Sequence, residues 1–583
     1  MQKAQGASDI GARPPIVWSI AGNDSGGGAG LSADARAAQA FGVHLCPVVA
    51  AVTAQNSRAV TRVEPVAPEL LDAQLAALAD DLPPAAIKTG LLGSAANVAV
   101  VARWIDRLRA RGPVALVIDP VLGATTGAAF ADDADLRAYR ELLLPRATLV
   151  TPNEREARRL VGDVGAGDAP LALTPALSPE GRGSKTAAPV FHPLPPGERA
   201  GVRGAADQEP HAAAIPNLAQ RLRALNAQAV AITGGDSAHA PGLSLDWIDT
   251  PHARGWLALP RIATQHTHGT GCTFATSAAC ALALSFVPAD ALVLAKMAST
   301  HAIAHGHAAG QGAGPVAARP GFAIEPARMP LLSWGECFDI DSWSRLMNKG
   351  CSPISLENVD LGVYAIVDQV ERVRQVVQAG VRTVQLRIKT PAQPAAGWHV
   401  TLRAAVAQAL DDCRQAGATL VVNDHWRLAA ELGAPAVHLG QEDLLALGPA
   451  GRAELAASGL RLGISSHSLW ELCRARTLAP GYVACGPVWP TLTKAMPWQP
   501  QGLDSLAWWV RMAGVPVVAI GGILQIEQAE QAAASGAAGV CVVRGLGETP
   551  ARSVPAWQAA LATGRARPRL PVPDLPHPSL LDQ

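Results

Sequence analysis

The sequence predicts an α/β protein in which a mainly parallel sheet covered by helices is followed by a (β/α)8 barrel. Three observations lead to this prediction. Short apolar runs that end in glycine or polar residues alternate with helical patterns along most of the chain, as in parallel strands joined by helices. The length of 583 residues corresponds to two to four domains at about 150 residues each. Residues 321–360 are irregular and separate two series of strands, so we interpret them as a linker.

Composition narrows the classes of function. The 48 basic and 48 acidic residues balance, which argues against nucleic acid or an acidic membrane as a partner. None of the nine cysteines forms a Cys-x-x-Cys pair, so neither a disulfide framework nor a zinc site is expected. The first residues lack the apolar core of a signal peptide, and no apolar run reaches the roughly 18 residues of a membrane span. We therefore expect a cytoplasmic protein that acts on small molecules.

The first strand series begins with an apolar run at residues 16–21, which predicts a buried strand. A glycine-rich loop at 22–30 and a helical pattern at 31–41 follow it. This order starts an α/β unit with room for a ligand at the strand's carboxyl end. The Gly-Lys-Ser/Thr of a Walker loop is missing. Later strands are predicted at residues 48–52, 86–88, 114–118, 148–150 and 230–232.

A second glycine loop, residues 267–273, opens a helical run of small residues. Glycine lets the backbone approach a ligand closely, and the first helical N–H groups have no partner inside the helix. Such a helix N-terminus favours an anion, although an ordinary glycine turn is the alternative for an isolated Gly-Thr-Gly.

Five segments together resemble hydroxymethylpyrimidine/phosphomethylpyrimidine kinase over residues 14–320, and this resemblance implies the three-layer α/β/α ribokinase-like fold. They are Gly22–Gly30, Ala54-Gln55-Asn56, Asp119-Pro120-Val121, Thr151–Glu156 and His268–Cys272. The family phosphorylates hydroxymethylpyrimidine with ATP to the monophosphate and then to the diphosphate.

The resemblance implies roles for these residues. Backbone N–H groups from Gly269 through Thr270 and Gly271 to Cys272 would cradle the transferred phosphoryl group. Cys272 stands where ribokinase relatives usually place an aspartate base, and a helix N-terminus lowers the pKa of a thiol. Further substrate contacts are expected at Asp24, Gln55 and Val121.

On the nucleotide side, Asn153 and Glu156 resemble the segment that orders Mg²⁺-bound water, and a plain helix cap is the alternative. Thr233, Gly235 and Thr270 are the other predicted ATP contacts. Lysines common in the family are replaced here by Ala124-Thr125 and by Thr233. Lys88 and Arg36 are the candidate replacements. Residues 173–204 are rich in proline, glycine and arginine, and we predict a disordered insert without function.

The second strand series starts at residue 361. In Thr383–Lys389, alternation predicts Gln385, Arg387 and Lys389 on one face, which is the lumen of a barrel, whereas a solvated edge strand is the alternative. Several segments resemble thiamine-phosphate synthase over residues 360–560. They are Gln385-x-Arg387-x-Lys389, Asn423-Asp424, Gly440-Gln441-x-Asp443, Pro490–Lys494 and Gly521-Gly522. This family condenses the pyrimidine diphosphate with thiazole phosphate and releases pyrophosphate.

By this resemblance, Asp424 and Asp443 would hold Mg²⁺ against the diphosphate, although two helix-capping aspartates are the alternative. Cationic and amide groups would stabilise the departing pyrophosphate, namely Arg387, Lys389, Asn423 and Lys494. Hydroxyls are expected from Ser465, Thr491 and Thr493, and a phosphate cradle from Gly521 and Gly522. Arg544 stands where many members have serine, and His438 is expected to be structural.

These resemblances predict a kinase domain at 14–320, a linker at 321–360, a synthase barrel at 361–565 and a flexible tail at 566–583. The cofactors implied are ATP and Mg²⁺, and the partners are small-molecule substrates, with a homo-oligomer compatible with both families. Alternatives are a pyridoxal kinase for the first domain, and a thiazole tautomerase-like or non-catalytic barrel for the second.

Overall fold

The computed structural model describes residues 13–123, 130–163, 211–235, 240, 242–336, 343, 346–347, 360–491 and 497–580. The predicted insert at 173–204 and two predicted synthase residues, Thr493 and Lys494, lie outside these ranges, as do Ala124 and Thr125.

The first domain is built on a ten-stranded sheet with the order β10-β9-β8-β7-β6-β5-β4-β1-β2-β3. The strands are β1 Ile16–Asp24, β2 His44–Gln55, β3 Val60–Pro65, β4 Ala86–Thr89, β5 Ala115–Ile118, β6 Leu149–Val150, β7 Val230–Gly234, β8 Leu243–Asp249, β9 Arg254–Pro260 and β10 Leu331–Leu332. The central strands β1, β2 and β4 to β7 are parallel, whereas β3 and β8 to β10 are antiparallel at the two edges. Loops at the carboxyl ends of the parallel strands therefore meet at one edge.

Helices cover both faces of this sheet. They are α1 Gly30–Ala40, α2 Pro68–Asp81, α3 Ala95–Arg109, α4 Asp133–Ala138, α5 Glu154–Val161, α6 His211–Ala224, α7 Thr270–Ala283 and α8 Pro288–Ala304. Neighbouring residues of β1 point to opposite faces: Val17 packs in the core shared with α1, α7 and α8, and Trp18 packs in the core shared with α2 to α6. The three-layer prediction is confirmed.

The second domain is a closed barrel of eight parallel strands. The strands are β11 Gly362–Val367, β12 Thr383–Leu386, β13 Thr419–Asn423, β14 Ala436–Leu439, β15 Arg461–Ser466, β16 Tyr482–Cys485, β17 Val517–Ala519 and β18 Gly539–Val542. The helices are α9 Val370–Gln378, α10 Trp398–Gln415, α11 Trp426–Glu431, α12 Gln441–Ala446, α13 Gly448–Ala457, α14 Leu469–Arg476, α15 Gly502–Met512, α16 Ile526–Ala534 and α17 Pro550–Ala566. The predicted barrel is confirmed, and by the rule for this fold its site lies at the carboxyl ends of the strands.

The two domains share a packed interface. Helix α8 of the first domain contacts α14 of the barrel, and Trp508 Nε1 donates to the Ala323 carbonyl across 2.8 Å. The predicted linker is in part structural, because β10 joins the first sheet through β9. The predicted tail also differs from expectation: Ser579 is 3% exposed and the backbone N–H of His577 donates to Ser505. Buried contacts hold these residues, and local composition does not reveal such contacts.

Among the described residues, the structure contains no helix that is both long and apolar enough to cross a membrane.

Candidate active sites

The glycine loop after β1 folds around the carboxylate of Asp24. The backbone N–H groups of Gly26, Gly28 and Ala29 donate to Asp24 over 2.8, 3.0 and 2.8 Å. Burial raises the pKa of Asp24, but the hydrogen bonds from His268 and the backbone outweigh it, so the pKa is lowered overall. Asp24 was predicted to contact substrate. In the structure its oxygens accept from its own loop and contact His268, so Asp24 organises that loop.

His268 connects this loop to the second glycine loop. Its Nε2 lies 3.0 Å from Asp24 Oδ2 and 3.3 Å from Gln55 Nε2. The loops touch so closely that a Cβ on Gly269 would lie 2.2 Å from the Gly28 carbonyl oxygen. Gly269 also has a φ of 86°, which only glycine adopts without strain. The fold thus brings together Asp24, Gln55 and the start of α7, as the motifs predicted, and adds His268.

The N-terminus of α7 is open to a ligand. Gly269 is the cap residue, and a Cβ on the exposed Gly271 would meet no atom within 4 Å. Thr270 turns its hydroxyl back to the Thr267 carbonyl at 2.8 Å. The N–H of Thr270 also donates to the Thr267 carbonyl, at 3.2 Å. The other N–H groups at such an accessible helix N-terminus favour an anion.

Beneath this cradle lies a buried charge cluster. The side chain of Lys88 is fully buried, and its Nζ is 3.2 Å from both oxygens of Asp34 and 3.4 Å from Asp119. Ser19 and Thr276 each donate to Asp34 over 2.6 Å. The cluster therefore holds one lysine against two carboxylates.

Cys272 faces this cluster. Burial raises the pKa of its thiol, and the Lys88 charge opposes that rise. The helix N-terminus was expected to lower the pKa of Cys272, but the pKa is raised, because burial penalises the thiolate more than the nearby positive charge stabilises it. The Cys272 side chain also meets Asp119, whose own pKa burial raises.

Neither candidate replacement for the missing lysines is available to a nucleotide. Lys88 is engaged in the buried cluster, and Arg36 donates to the Gly27 carbonyl at 3.0 Å, where it supports the first glycine loop.

The predicted nucleotide residues lie at the same edge of the sheet. Asn153 and Glu156 form a reciprocal cap of α5, with Glu156 N donating to Asn153 Oδ1 at 2.9 Å. Burial, followed by the charge of Asp119, raises the pKa of Glu156 to about 8. Thr233 bonds through its N–H to the Pro152 carbonyl at 2.9 Å, beside Asn153. Gly235 follows β7, and its carbonyl accepts from Arg261. Val121 is half-buried after β5.

Three residues of the kinase site, His268, Asp119 and Asp34, were not assigned a role by the motifs. His268 and Asp119 stand inside quoted motifs, so their positions carried a signal. The pairing of Lys88 with Asp34 carried none, because only the tertiary fold brings α1 and β4 together.

In the barrel, neutral side chains form a continuous hydrogen-bonded chain across the lumen. Gln385 Nε2 donates to Asn423 Oδ1 at 2.6 Å, and Tyr364 donates to Gln385 Oε1 at 3.1 Å. The hydroxyls of Tyr364 and Tyr482 are 2.6 Å apart, and His438 Nδ1 is 2.9 Å from the Tyr482 hydroxyl. Asn423 Nδ2 is buried and has no partner among the residues that the structure describes, so it is ready to donate to a ligand.

His438 links this chain to Ser465. Its Nε2 lies 2.9 Å from the Ser465 hydroxyl. Burial lowers the pKa of His438 to about 4, so the ring is neutral at neutral pH. One ring nitrogen is then a donor and the other an acceptor, and the ring orients the serine.

Charged groups gather at the mouth of the barrel. Strand β12 ends at Leu386, and Arg387 and Lys389 follow it at the mouth, close enough for their charges to act on His438 in the lumen. Lys389 Nζ is 2.6 Å from Asp424 Oδ2, and both side chains are partly exposed. Asp424 has a φ of 65°, a strained backbone for a residue other than glycine that is often found at functional sites.

The predicted metal residues end neighbouring strands. Asp424 follows β13, and Asp443 lies in the first turn of α12 after β14, where its Oδ2 accepts from Gly440 N at 3.0 Å. No group of three or more His, Cys, Asp or Glu that could hold a metal occurs among the described residues. Two carboxylates fit Mg²⁺, because this ion is usually held by one or two carboxylates plus substrate phosphates.

Two glycines follow β17. Gly521 and Gly522 have φ values of 92° and 72°, and a Cβ on Gly521 would lie 2.6 Å from Pro487 Cα. Glycine is thus required at both positions, because the segment from Pro487 to Pro490 packs directly against this backbone. Thr491 is half-buried on the neighbouring loop, and Arg544 is exposed after β18. A cavity of about 500 Å³ extends outward from Asp424 between α10 and α11.

Comparison with protein families divides the chain at the same places. The model described as phosphomethylpyrimidine kinase matches residues 24–171 and 205–317. The model described as thiamine monophosphate synthase matches residues 363–546. The kinase match omits residues 172–204.

Curated relatives match single domains and the whole chain. A hydroxymethylpyrimidine/phosphomethylpyrimidine kinase of Synechococcus elongatus is 37% identical over 52% of this chain and 96% of its own. A thiamine-phosphate synthase of Rhizobium etli is 44% identical over 35% of this chain and 96% of its own. A probable thiamine biosynthetic bifunctional enzyme of Oryza sativa, described as chloroplastic, is 30% identical over 87% of this chain and 81% of its own. The chain therefore belongs to the family of bifunctional thiamine biosynthetic enzymes, with a phosphomethylpyrimidine kinase domain and a thiamine-phosphate synthase domain.

Proposed function

We propose that the residues described above carry out both activities, so that the first domain makes the pyrimidine diphosphate that the barrel consumes. The observation that carries this proposal is the convergence of each predicted set at one edge of its domain. Gln55, the N-terminus of α7 and Glu156 lie at the carboxyl edge of the sheet, and Asn423, Asp424 and Ser465 lie at the mouth of the barrel.

In the kinase, Gln55 binds the aminopyrimidine edge and is oriented by His268. The N–H groups of Gly269 to Cys272 stabilise the charge on the phosphoryl group in flight, since this transfer depends on positioning and charge. The hydroxymethyl oxygen forms a bond to the γ-phosphorus as the bond to ADP breaks. The hydroxyl proton passes to Cys272, whose thiol proton passes to Asp119, and Lys88 balances the buried charge.

ATP occupies the edge formed by Asn153, Glu156, Thr233, Gly235 and Thr270. The negative charge of Asp119 contributes to the raised pKa of Glu156, and a bound cation would relieve this repulsion between the two carboxylates. Mg²⁺ would neutralise phosphate charge here and at Asp424 and Asp443 when bound. Glu156 and Asn153 would hold its water ligands.

In the synthase, Gln385 and Asn423 orient the pyrimidine at the end of the neutral chain. Arg387, Lys389 and Lys494 stabilise the departing pyrophosphate, so that the bond from the pyrimidine methylene to oxygen breaks and a bond to the thiazole nitrogen forms. Gly521 and Gly522 cradle the thiazole phosphate, the usual phosphate position in this fold, and Ser465, Thr491 and Thr493 supply hydroxyls.

A second candidate is an active kinase with a non-catalytic or thiazole tautomerase-like barrel. The synthase is favoured by Asp424 and Asp443, which are retained, and by Asn423 Nδ2, which has no partner within the described part of the chain. We place the protein in the cytoplasm. The first domain begins at residue 14 and extends to β10, and the barrel domain begins at residue 361 and includes the C-terminal segment that is buried at Ser579. The gap in the kinase match at 172–204 supports an insert at this place. We expect that deletion of the insert leaves kinase activity intact.

A linked assay tests the proposal. The purified protein is given hydroxymethylpyrimidine, thiazole phosphate and Mg-ATP, and thiamine phosphate is the expected product. Each half-reaction is also measured alone, with pyrimidine diphosphate supplied to the barrel. A working kinase with a silent synthase would select the second candidate, and two silent half-reactions would overturn both.

A further inference from the structure

An aspartate of the first domain binds the barrel. Asp290 lies in the first turn of α8 and is 1% exposed. Its Oδ1 accepts from the backbone N–H of Trp470 at 3.0 Å, and the N–H of Leu469 also faces it. Both residues begin α14 of the barrel, so a carboxylate from one domain caps a helix of the other.

The position explains why a carboxylate is there. Asp290 lies between the N-termini of α8 and α14, and both helix dipoles favour a negative charge. Ser579 of the C-terminal segment stands 3.4 Å from its second oxygen. Burial raises the pKa of Asp290 to about 7, and Glu471 of the barrel adds to this rise. A buried carboxylate is costly unless such donors surround it, so the contact is specific.

The helix that Asp290 caps is tied to the synthase site. Ser465, four residues before α14, receives its orientation from His438. Gln441 Nε2 bonds to the Ser465 carbonyl at 3.4 Å, to the Ser466 hydroxyl at 3.2 Å and to the Glu471 carbonyl at 3.1 Å. Gln441 therefore ties the start of α14 to the end of β15, which carries Ser465.

A second path reaches the other side of the mouth. The N–H of Gln499, in the segment between β16 and α15, donates to the Ser579 carbonyl at 2.7 Å. The ring of His467 stacks on Trp498 with centroids 5.0 Å apart and an interplanar angle of 6°. Asp290 thus contacts α14 directly, and it contacts the segment at Gln499 indirectly, through Ser579.

From these contacts we propose that Asp290 is a positioning residue for the synthase, so that the kinase domain supports the synthase site. The proposal rests on the synthase activity described above. It predicts that synthesis from supplied pyrimidine diphosphate depends on a side chain in the kinase domain, without any transfer of intermediate between the sites.

The test compares Asp290→Ala with Asp290→Asn in the full-length protein. Loss of a helix cap costs about 0.5–2 kcal/mol, so Asp290→Ala is expected to lower synthase kcat/KM by roughly 2- to 30-fold, with a change in KM for the supplied substrates. Asparagine caps as well as aspartate, so Asp290→Asn should stay within about 2-fold of wild type. Kinase kcat/KM should not change in either variant.

Thr477→Val is the matched control. Its hydroxyl accepts from Trp334 Nε1 at 2.8 Å, so this variant removes a hydrogen bond beside the opposite end of α14. It should leave the synthase unchanged. An unchanged synthase in folded Asp290→Ala, or an equal loss in Thr477→Val, would overturn the proposal.

If Asp290→Ala fails to fold, Asp290→Ser takes its place in the comparison. Serine keeps a polar side chain, but its oxygen is one bond closer to the backbone than the carboxylate oxygens of aspartate. Faster hydrogen exchange of residues 465–472 in that variant, with normal exchange near Thr477, is the expected result, and unchanged exchange at 465–472 would contradict the proposal. A wild-type protein without synthase activity would instead refute the proposed function, which separates the two failures.

Discussion

The two sites of this chain handle charge in opposite ways. The kinase buries a lysine and two aspartates beneath Cys272, in a place that solvent does not reach. The barrel fills its lumen with neutral tyrosine, histidine and amide groups and keeps Lys389 and Asp424 at the accessible mouth. The difference follows the chemistry that we propose. In the kinase, the buried charges near Cys272 balance the charge that forms when it accepts a proton. In the synthase, the charge is on the departing pyrophosphate, and the groups that stabilise it lie at the accessible mouth.

The largest effect is expected from Cys272→Ala. If Cys272 accepts the hydroxyl proton, its loss should lower kinase kcat by about 10²- to 10⁴-fold, the usual contribution of general acid–base catalysis. The synthase should still use supplied pyrimidine diphosphate at the wild-type rate. Coupled ADP release and direct detection of thiamine phosphate measure the two rates. A kinase that retains its activity would remove Cys272 from the proton path.

Two lysine variants test the contrast in burial directly. Lys88→Met leaves the buried carboxylates of Asp34 and Asp119 without a counter-ion, so we expect a loss of about 3–5 kcal/mol in the free energy of unfolding of the first domain. Lys389→Met removes an exposed pair and should change the stability of the barrel by no more than about 1 kcal/mol. Denaturant unfolding measures both. Equal losses of stability in the two variants would mean that burial does not strengthen the ion pairs of Lys88 relative to the exposed pair of Lys389 with Asp424.

Asp443→Ala tests the mouth of the barrel. Loss of a Mg²⁺ ligand should lower synthase activity by at least about 100-fold, the upper end of the loss seen when only an outer partner of a metal site is changed. The kinase should keep its rate, and synthesis should respond less to added Mg²⁺ than in wild type. If the kinase falls as well, the two sites do not act separately.

The smallest effect concerns the free thiol. Burial raises the pKa of Cys272, so in the protein without substrate its alkylation should be slow at pH 7 and should accelerate only above pH 9. Mass spectrometry of the peptide that contains Cys272 gives the rate at each pH. Fast alkylation at pH 7 would show a thiolate already formed by the helix N-terminus, as the sequence alone suggested.

Some features could be predicted because neighbours in sequence determine them. The loop at 22–30, the turn at 267–271 and the pair Gly521-Gly522 need glycine for backbone reasons that a local pattern reveals. Strand ends could be placed because apolar runs stop where they leave the core. The end of β12 at Leu386 could not be predicted, because the alternation of Gln385, Arg387 and Lys389 continues beyond it in the sequence.

The sequence by itself determined the two folds, the order of their motifs and the membership of both domains in thiamine biosynthesis. Only the tertiary structure decided the electrostatic setting of those motifs. It turned Asp24 toward its own loop, enclosed Lys88 between the carboxylates of Asp34 in α1 and Asp119 just after β5, and placed Asp290 against a helix of the other domain. The reason is physical: backbone geometry depends on adjacent residues, whereas burial and charge depend on residues that are distant in the chain and meet only when it folds.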